Sequence, residues 1–361
     1  MKKDTFLKSK RQVAVVDLFC GAGGLTRGLI QAGLPVVAGY DVEAACRYAY
    51  EKNNQASFIQ KSVSDLTVDE LSNHYPEGAV RILVGCAPCQ PFSKYTQSLR
   101  NDKISDSKWR LLYDFLRLVD GLKPEIVSME NVIEIQRHEV FHDFVISLEK
   151  LGYHVFYTEV YCPDYGIPQQ RKRLVLLASL LDKLELIPAD SDNRVTVREA
   201  IGELPHLEAG EVDQTDNLHR TSRLSDLNLD RIKLSRPGGN WRDWPEHFIA
   251  QCHMRSTGKT YPSVYGRMEW DKPSPTITTQ FFGFGNGRFG HPEQNRALSL
   301  REGAILQSFP PNYEFVSENE KVSFSVLGKM IGNAVPVKLG EAIGKSILDH
   351  IDFAIKRECY E

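Results

Sequence analysis

Two cysteines with two residues between them stand in the run Gly85-Cys86-Ala87-Pro88-Cys89-Gln90-Pro91-Phe92-Ser93, and their types and spacing could do chemistry in three ways. Such a pair can exchange disulfides, form half a zinc site, or hold one nucleophile beside a bystander. A redox pair wants its first cysteine at a helix N-terminus, where the dipole stabilises thiolate. Pro91 is tolerated in a first helical turn, but it biases Gln90 toward extended backbone, and the polar run through Asp106 lacks helical spacing. Zinc needs two further ligands, and Cys162, Cys252 and Cys359 stand alone. The nucleophile reading is favoured, and the other two stay open at this point.

A nucleophile needs partners. Glu130, in Glu130-Asn131-Val132, ends an apolar run and brings a carboxyl group. Gln169-Gln170-Arg171-Lys172-Arg173 precedes another apolar run and brings cations. A third group is the turn Phe19-Cys20-Gly21-Ala22-Gly23-Gly24 after VAVVDLF (13–19). A strand, a glycine turn and a helix make the first unit of a nucleotide site. Thr26 occupies the third glycine position of G-x-G-x-x-G, which weakens the case for a bound pyrophosphate. Asp41, about 20 residues on, stands where an acid holds ribose hydroxyls. These residues describe a nucleoside-binding unit, with a structural turn and an ordinary helix-capping acid as the alternative reading.

The elements that must position them follow from periodicity. Strands are predicted at 13–19, 36–41, 57–60, 81–86, 125–132 and 173–179, with helices after the glycine turn and over 43–52, 109–122 and 138–152. Alternating strands and helices with near-continuous apolar strands predict an α/β fold with a mostly parallel sheet covered on both faces. Strand ends then gather Cys89, Glu130 and the arginines at one sheet edge, where doubly wound sheets place ligands. Residues 185–300 are loop-rich, and 336–357 read as a long helix after the turn GNAV.

Composition sets the outer bounds. The chain has 361 residues, 42% hydrophobic and 25% charged, with formal net charge −3. That is ordinary for a soluble globular protein of one large and one smaller domain. No apolar run reaches the roughly 20 residues of a membrane span, and no secretory signal is read at the N-terminus. Seven scattered cysteines fit a reducing cytoplasm. Charge is uneven: residues 191–230 carry 4 Lys/Arg against 9 Asp/Glu, and residues 231–300 carry 10 against 5. The second stretch also holds Trp241, Trp244, Tyr261, Tyr265 and Trp270, so it is a candidate nucleic-acid surface.

Taken together, DLFCGAGG, PCQPFS, ENV, QQRKR, the run from Arg296 to Pro310 and Gly332-Asn333-Ala334-Val335-Pro336 resemble, in order, the motifs of DNA (cytosine-5)-methyltransferases of bacterial or phage type. The resemblance implies a Rossmann-like S-adenosylmethionine-dependent methyltransferase sheet plus an irregular target-recognition domain. It divides the chain into a discontinuous catalytic and cofactor-binding domain, 1–185 with 322–361, and a recognition domain, 186–321. It implies methyl transfer to C5 of a flipped-out cytosine in a specific sequence of double-stranded DNA, through a covalent bond from Cys89 to C6. Glu130 would serve N3 of the ring, and Arg171 and Arg173 its O2.

By family position, Phe19, Gly21, Gly23, Leu25, Asp41, Asp65, Leu66, Asn333 and Val335 would hold S-adenosylmethionine, with S-adenosylhomocysteine as product and no metal. Gln90, Ser93 and Gln169 would meet DNA or the target base. Residues 93–109, with Lys94, Arg100, Lys103 and Lys108, would form a lid. Arg242, Arg255, Arg267 and Gln280 are candidates for DNA contacts, whereas Trp241 and Trp244 read as packing residues. Cys86, where the family commonly has a smaller residue, is expected to touch only the cofactor side. The resemblance also implies a monomer in the cytoplasm, nucleoid-associated through DNA, and leaves room for a cognate restriction endonuclease acting separately. Rival readings are a tRNA cytosine-5 methyltransferase of the same fold, a catalytically inactive DNA-binding protein, and a nicotinamide-dependent enzyme.

Overall fold

The computed structural model describes residues 12–88, 105–255 and 262–358, and only the backbone of 105–109, 357 and 358. Cys89, Gln90, Ser93, Lys94, Arg100, Lys103 and Tyr261 lie outside the described residues.

In chain order the first half runs β1 Val13–Leu18, α1 Gly24–Ala32, β2 Val36–Asp41, α2 Arg47–Asn54, β3 Ser57–Gln60, α3 Val68–Ser72, β4 Val80–Gly85, α4 Ser105–Leu122, β5 Ile126–Asn131, α5 Glu139–Lys150, β6 His154–Tyr161, β7 Gln169–Gln170 and β8 Lys172–Ser179. The second half has shorter pieces: α6 Val197–Ile201, α7 Asp226–Leu234, α8 Gln251–Met254, β9 Ser274–Pro275, α9 Leu300–Leu306 and α10 Phe324–Asn333. The long α11, Val337–Glu358, closes the series.

Seven strands form one sheet in the order β3-β2-β1-β4-β5-β8-β6. The five strands from β3 to β5 pair in parallel, and β8 runs antiparallel to both of its neighbours. Strand alternation sorts the core into two layers. Val15, Ile82, Val84, Val175 and Leu177 face α1 and α11, while Val16, Leu83, Val127, Met129 and Leu176 face α4 and α5. Apolar residues on both faces explain why these strands read as continuous hydrophobic runs. On one face α1 lies close against α11. A β-carbon on Gly28 would run into the Val337 carbonyl, so the absent side chain sets that approach. This crossing returns the C-terminus to the glycine turn.

The structure departs from expectation in several places, among them the short helices α3, α6, α7 and α8. Strand β6 was not anticipated, because it is an edge strand with a mixed exposure pattern rather than an apolar run. Helix α4 starts at Ser105, four residues before Trp109. Helices α9 and α10 were also unforeseen; α9 is short, and α10 runs into the predicted GNAV turn and ends at its Asn333. Beyond the sheet, Ile232, Trp241, Trp244, Phe284 and Ala297 make a small second core. Leu298, Leu300, Ala304, Leu306, Phe309, Tyr313 and Phe315 pack with the main one.

Candidate active site

The site lies where β1, β4 and β5 end. Strand β4 stops at Gly85, and the backbone N–H of Cys86 donates to the Leu18 carbonyl (3.3 Å). Gly85 pairs with Met129, so the next residues along, Cys86 and Glu130, lie side by side. Glu130 is buried on β5, opposite Val175 of β8. Two residues from Val175, Arg173 brings its Nε to 2.8 Å from Glu130 Oε1. No N–H among the described residues is aligned on that oxygen, so this is a charge contact rather than a formed hydrogen bond. The Cys86 thiol donates to Glu130 Oε2 at 2.8 Å. Asn131 then ties the exit of β4, its Nδ2 donating to the Ala87 carbonyl (3.1 Å) while its Oδ1 accepts from Val132 N–H (2.9 Å). The chain is thus fixed two residues before Cys89.

The placement of Cys86 corrects the expectation that it touches only the cofactor side: its sulfur faces the Glu130 carboxyl group. The signal was in the strand register, which residue types alone do not reveal.

A second correction concerns QQRKR. Gln169 was expected to meet DNA or the target base, but it is fully buried. Its Nε2 donates to the Leu306 carbonyl and to Gln307 Oε1 (3.1 and 2.8 Å), and its Oε1 accepts from Ile277 N–H (2.9 Å). Arg171 is buried beside it and donates to the carbonyls of Ile277 (3.1 Å) and Gly332 (3.4 Å). Burial and the neighbouring Arg173 push its pKa down to about 10, so it stays charged at neutral pH. Gln307 completes the knot by donating to the Ile331 carbonyl (2.7 Å). Along this segment, residues 169 and 171 turn inward to bind backbone at 277, 306 and 332, and of the two arginines Arg173 makes the close contact with Glu130.

The glycine turn packs against the same edge. Phe19, Gly21 and Gly23 all have left-handed backbone, with φ of 60°, 51° and 86°. Gly21 N–H donates to Asp41 Oδ2 (2.8 Å) and Glu43 N–H to Oδ1 (2.9 Å), so Asp41 braces the turn from the end of β2. Tyr313 donates to the Ala22 carbonyl (2.6 Å), and the Val335 carbonyl sits against Gly24. Leu25, Leu66 and Val335 are buried, while Asp65 and Asn333 are exposed. This cradle fits S-adenosylmethionine in its chemistry. It offers close-packed backbone and carboxylates for a nucleoside.

Beneath the turn, Asp17 is buried and accepts from the Thr26 hydroxyl (2.6 Å). Burial raises its pKa to about 7. Thr26, which breaks the dinucleotide pattern, therefore has a structural task.

In the second half, Arg267 is buried and donates to the carbonyls of Ser235, Ile232, His291 and Gln294, and is thereby removed from the candidate DNA readers. Burial lowers its pKa to about 10. Arg242, Arg255 and Gln280 are exposed. Trp241 and Trp244 are buried; Trp241 stacks on His253, and Trp244 meets Tyr265 edge-on. Among the described residues, no group of three or more His, Cys, Asp or Glu side chains could hold a metal ion.

The sheet order and the one reversed strand define an S-adenosylmethionine-dependent methyltransferase fold. Solved structures agree on the fold. A DNA modification methyltransferase from an Escherichia coli prophage superposes with TM-score 0.72 at 20% identity, over 94% of this chain and 99% of that one. The Entamoeba histolytica methyltransferase EhMeth gives 0.66 at 16% identity, over 95% and 99%. The family of C-5 cytosine-specific DNA methylases matches residues 13–349. The chain is 54% identical over 339 residues to the Type II methylase M.HgiDII of Herpetosiphon aurantiacus, covering 92% of this chain and 94% of that protein. It is 32% identical over 364 residues to the Type II methyltransferase M.PspPI of Psychrobacter sp. (strain TA137), covering 97% and 82%. The chain belongs to the C-5 cytosine-specific DNA methylase family, and its class is DNA (cytosine-5-)-methyltransferase.

Proposed function

We propose that this protein methylates C5 of a flipped-out cytosine within one specific sequence of double-stranded DNA, through a transient Cys89–C6 bond. The observation that carries the reading is the buried Glu130, held between Arg173 and Cys86 beside the exit of β4.

The chemistry follows from what C5 lacks. It is a poor nucleophile until the ring is activated. The Cys89 thiolate attacks C6, and the ring's displaced electron pair moves toward N3, where Glu130 supplies or shares a proton. Arg173 lies beside that carboxyl group and would stabilise charge at O2. Arg171 acts one step back, fixing the segment that carries Arg173. S-adenosylmethionine, when bound, supplies the methyl group and leaves as S-adenosylhomocysteine. A base then removes the C5 proton, the Cys89–C6 bond breaks, and aromaticity returns. Gln90 and Ser93 would meet the flipped base, which a stacked duplex could not present.

Phe19, Gly21, Gly23, Leu25, Asp41, Asp65, Leu66, Asn333 and Val335 would form the cofactor pocket, with Asp41 on the ribose and Asp65 and Leu66 at the adenine. Residues 1–185 and 322–361 would act as the catalytic unit and 186–321 as the recognition unit. The second core around Trp241 and Trp244 supports a separate unit within 186–321, while residues 298–315 pack with the main core. A monomer acting in the cytoplasm on its own DNA, with or without a separate endonuclease, suits this chemistry.

Bisulfite sequencing of DNA from cells expressing the protein tests the reading. It should reveal one short motif whose cytosines resist conversion. Conversion at background level, with methyl transfer to total tRNA instead, would overturn the DNA assignment.

A further inference from the structure

We propose that Cys86 is a positioning residue for Glu130, its thiol setting the orientation of the carboxyl group that serves the cytosine ring. The inference rests on the function proposed above for Glu130.

A glutamate's last torsion is broad, so its carboxyl group swings unless both oxygens are held. At Glu130 the Arg173 contact restrains Oε1 by charge, and no aligned N–H among the described residues fixes its direction. Direction comes from the other oxygen, which accepts the Cys86 thiol at 2.8 Å. The donor is itself anchored. Cys86 follows β4 directly, its N–H is bonded to Leu18, and the β4–β5 register sets it next to Glu130. The next residue is pinned by Asn131, which adjoins Glu130 on β5. Donor and acceptor are therefore fixed to neighbouring strands.

A thiol suits the task chemically. It is a weak, uncharged donor that can orient a carboxylate without competing as strongly as an ammonium or guanidinium for its charge. Glycine or alanine at this place would supply no donor. Cys86 thus does work separate from that assigned to Cys89.

The test compares Cys86→Ala and Cys86→Ser with the wild-type protein. Removing the donor should lower kcat about tenfold, which corresponds to about 1.4 kcal/mol. KM for DNA and for S-adenosylmethionine should stay within about twofold, because orientation matters after binding. Serine, which restores a donor of similar size, should recover most of the rate. Equal rates for Ala and wild type, or a Ser variant as slow as Ala, would overturn the inference.

A second measurement needs no turnover. In a Cys89→Ala background, iodoacetamide labelling of Cys86, read by peptide mass spectrometry, should speed up severalfold when Glu130 becomes Gln. A thiol donating to a carboxylate is held protonated, and only thiolate alkylates. An unchanged labelling rate would contradict the contact. A wild-type protein that methylates no DNA would instead sink the proposed function, leaving the labelling result to judge the contact.

Discussion

Glu130 and Glu302 are both buried carboxylates facing an arginine, yet they are built in opposite ways. Both oxygens of Glu302 are hydrogen-bonded. Arg296 donates to both of its oxygens (2.8 and 2.7 Å), Ser299 N–H donates to Oε2 (2.7 Å), and the Ser299 hydroxyl accepts from Glu302 N–H (3.0 Å). Burial alone would raise its pKa, but the Arg296 guanidinium overrides that and brings it down to about 2. Glu130 has a thiol on one oxygen and an unaligned arginine on the other. A carboxylate with both oxygens bonded by a bidentate arginine and a backbone N–H can hold a fold together but has little left for a ligand. One left partly satisfied in the interior costs stability and is poised to accept a donor from a substrate.

The contrast predicts opposite outcomes for the same substitution. Glu302→Ala strands the Arg296 charge in the interior and should cost about 3–5 kcal/mol in urea unfolding. Glu130→Ala should cost less, about 1–3 kcal/mol, because no aligned hydrogen bond joins it to Arg173, which also donates to the Lys172 carbonyl. It should lower kcat by about 10²–10⁴, the range for losing a positioned acid or base. Reversed effects would mean the two roles have been exchanged.

Acid titration sharpens the same comparison. His291 is buried beside Glu302, and burial lowers its pKa from 6.5 to about 3. Between those values the unfolded chain binds a proton that the folded chain refuses. Stability therefore falls as pH drops below about 6.5, with a slope approaching about 1.4 kcal/mol per unit from this group. Glu302 adds stability above about pH 4.5 and loses it as pH falls toward about 2. Replacing His291 with Asn should flatten the upper part of that decline in unfolding measurements across pH 7 to 4.

Smaller effects separate buried knots from surface candidates. Gln169→Ala leaves Ile277 N–H and the Gln307 amide short of a partner and should cost about 1–3 kcal/mol. Arg242→Ala, at an exposed position, should change stability by about 0.5 kcal/mol or less. If Arg242 touches a phosphate, the salt dependence of DNA binding should lose about one unit of slope.

Local pattern was enough for the scaffold. Strands β2 and β3 have the bounds read from their residues, and β1, β4, β5 and β8 lie within a residue of theirs. Continuous apolar runs flanked by turns are a local property, so sequence carries them. Strand β6 escaped because half-exposed edge strands lack that pattern. At the site, residue types located QQRKR but not its division of labour. What Gln169 and Arg171 bind comes from residues 277, 307 and 332, more than a hundred positions away. Arg267 and Cys86 were misjudged for the same reason, since their partners are set by packing and register. Cys89 falls outside the described residues, and its role rests on motif and on the fixed chain leading to it.

The central claim is that Cys89 attacks C6 with Glu130 assisting at the ring. Duplex DNA carrying 5-fluorocytosine at the target tests it most directly, because fluorine at C5 blocks the final proton loss and freezes the covalent adduct. With S-adenosylmethionine present, the wild-type protein should give a denaturant-resistant complex whose modified peptide maps to Cys89, and Glu130→Gln should form it far more slowly. An adduct at Cys86, or no adduct from protein that still methylates the duplex, would contradict the account.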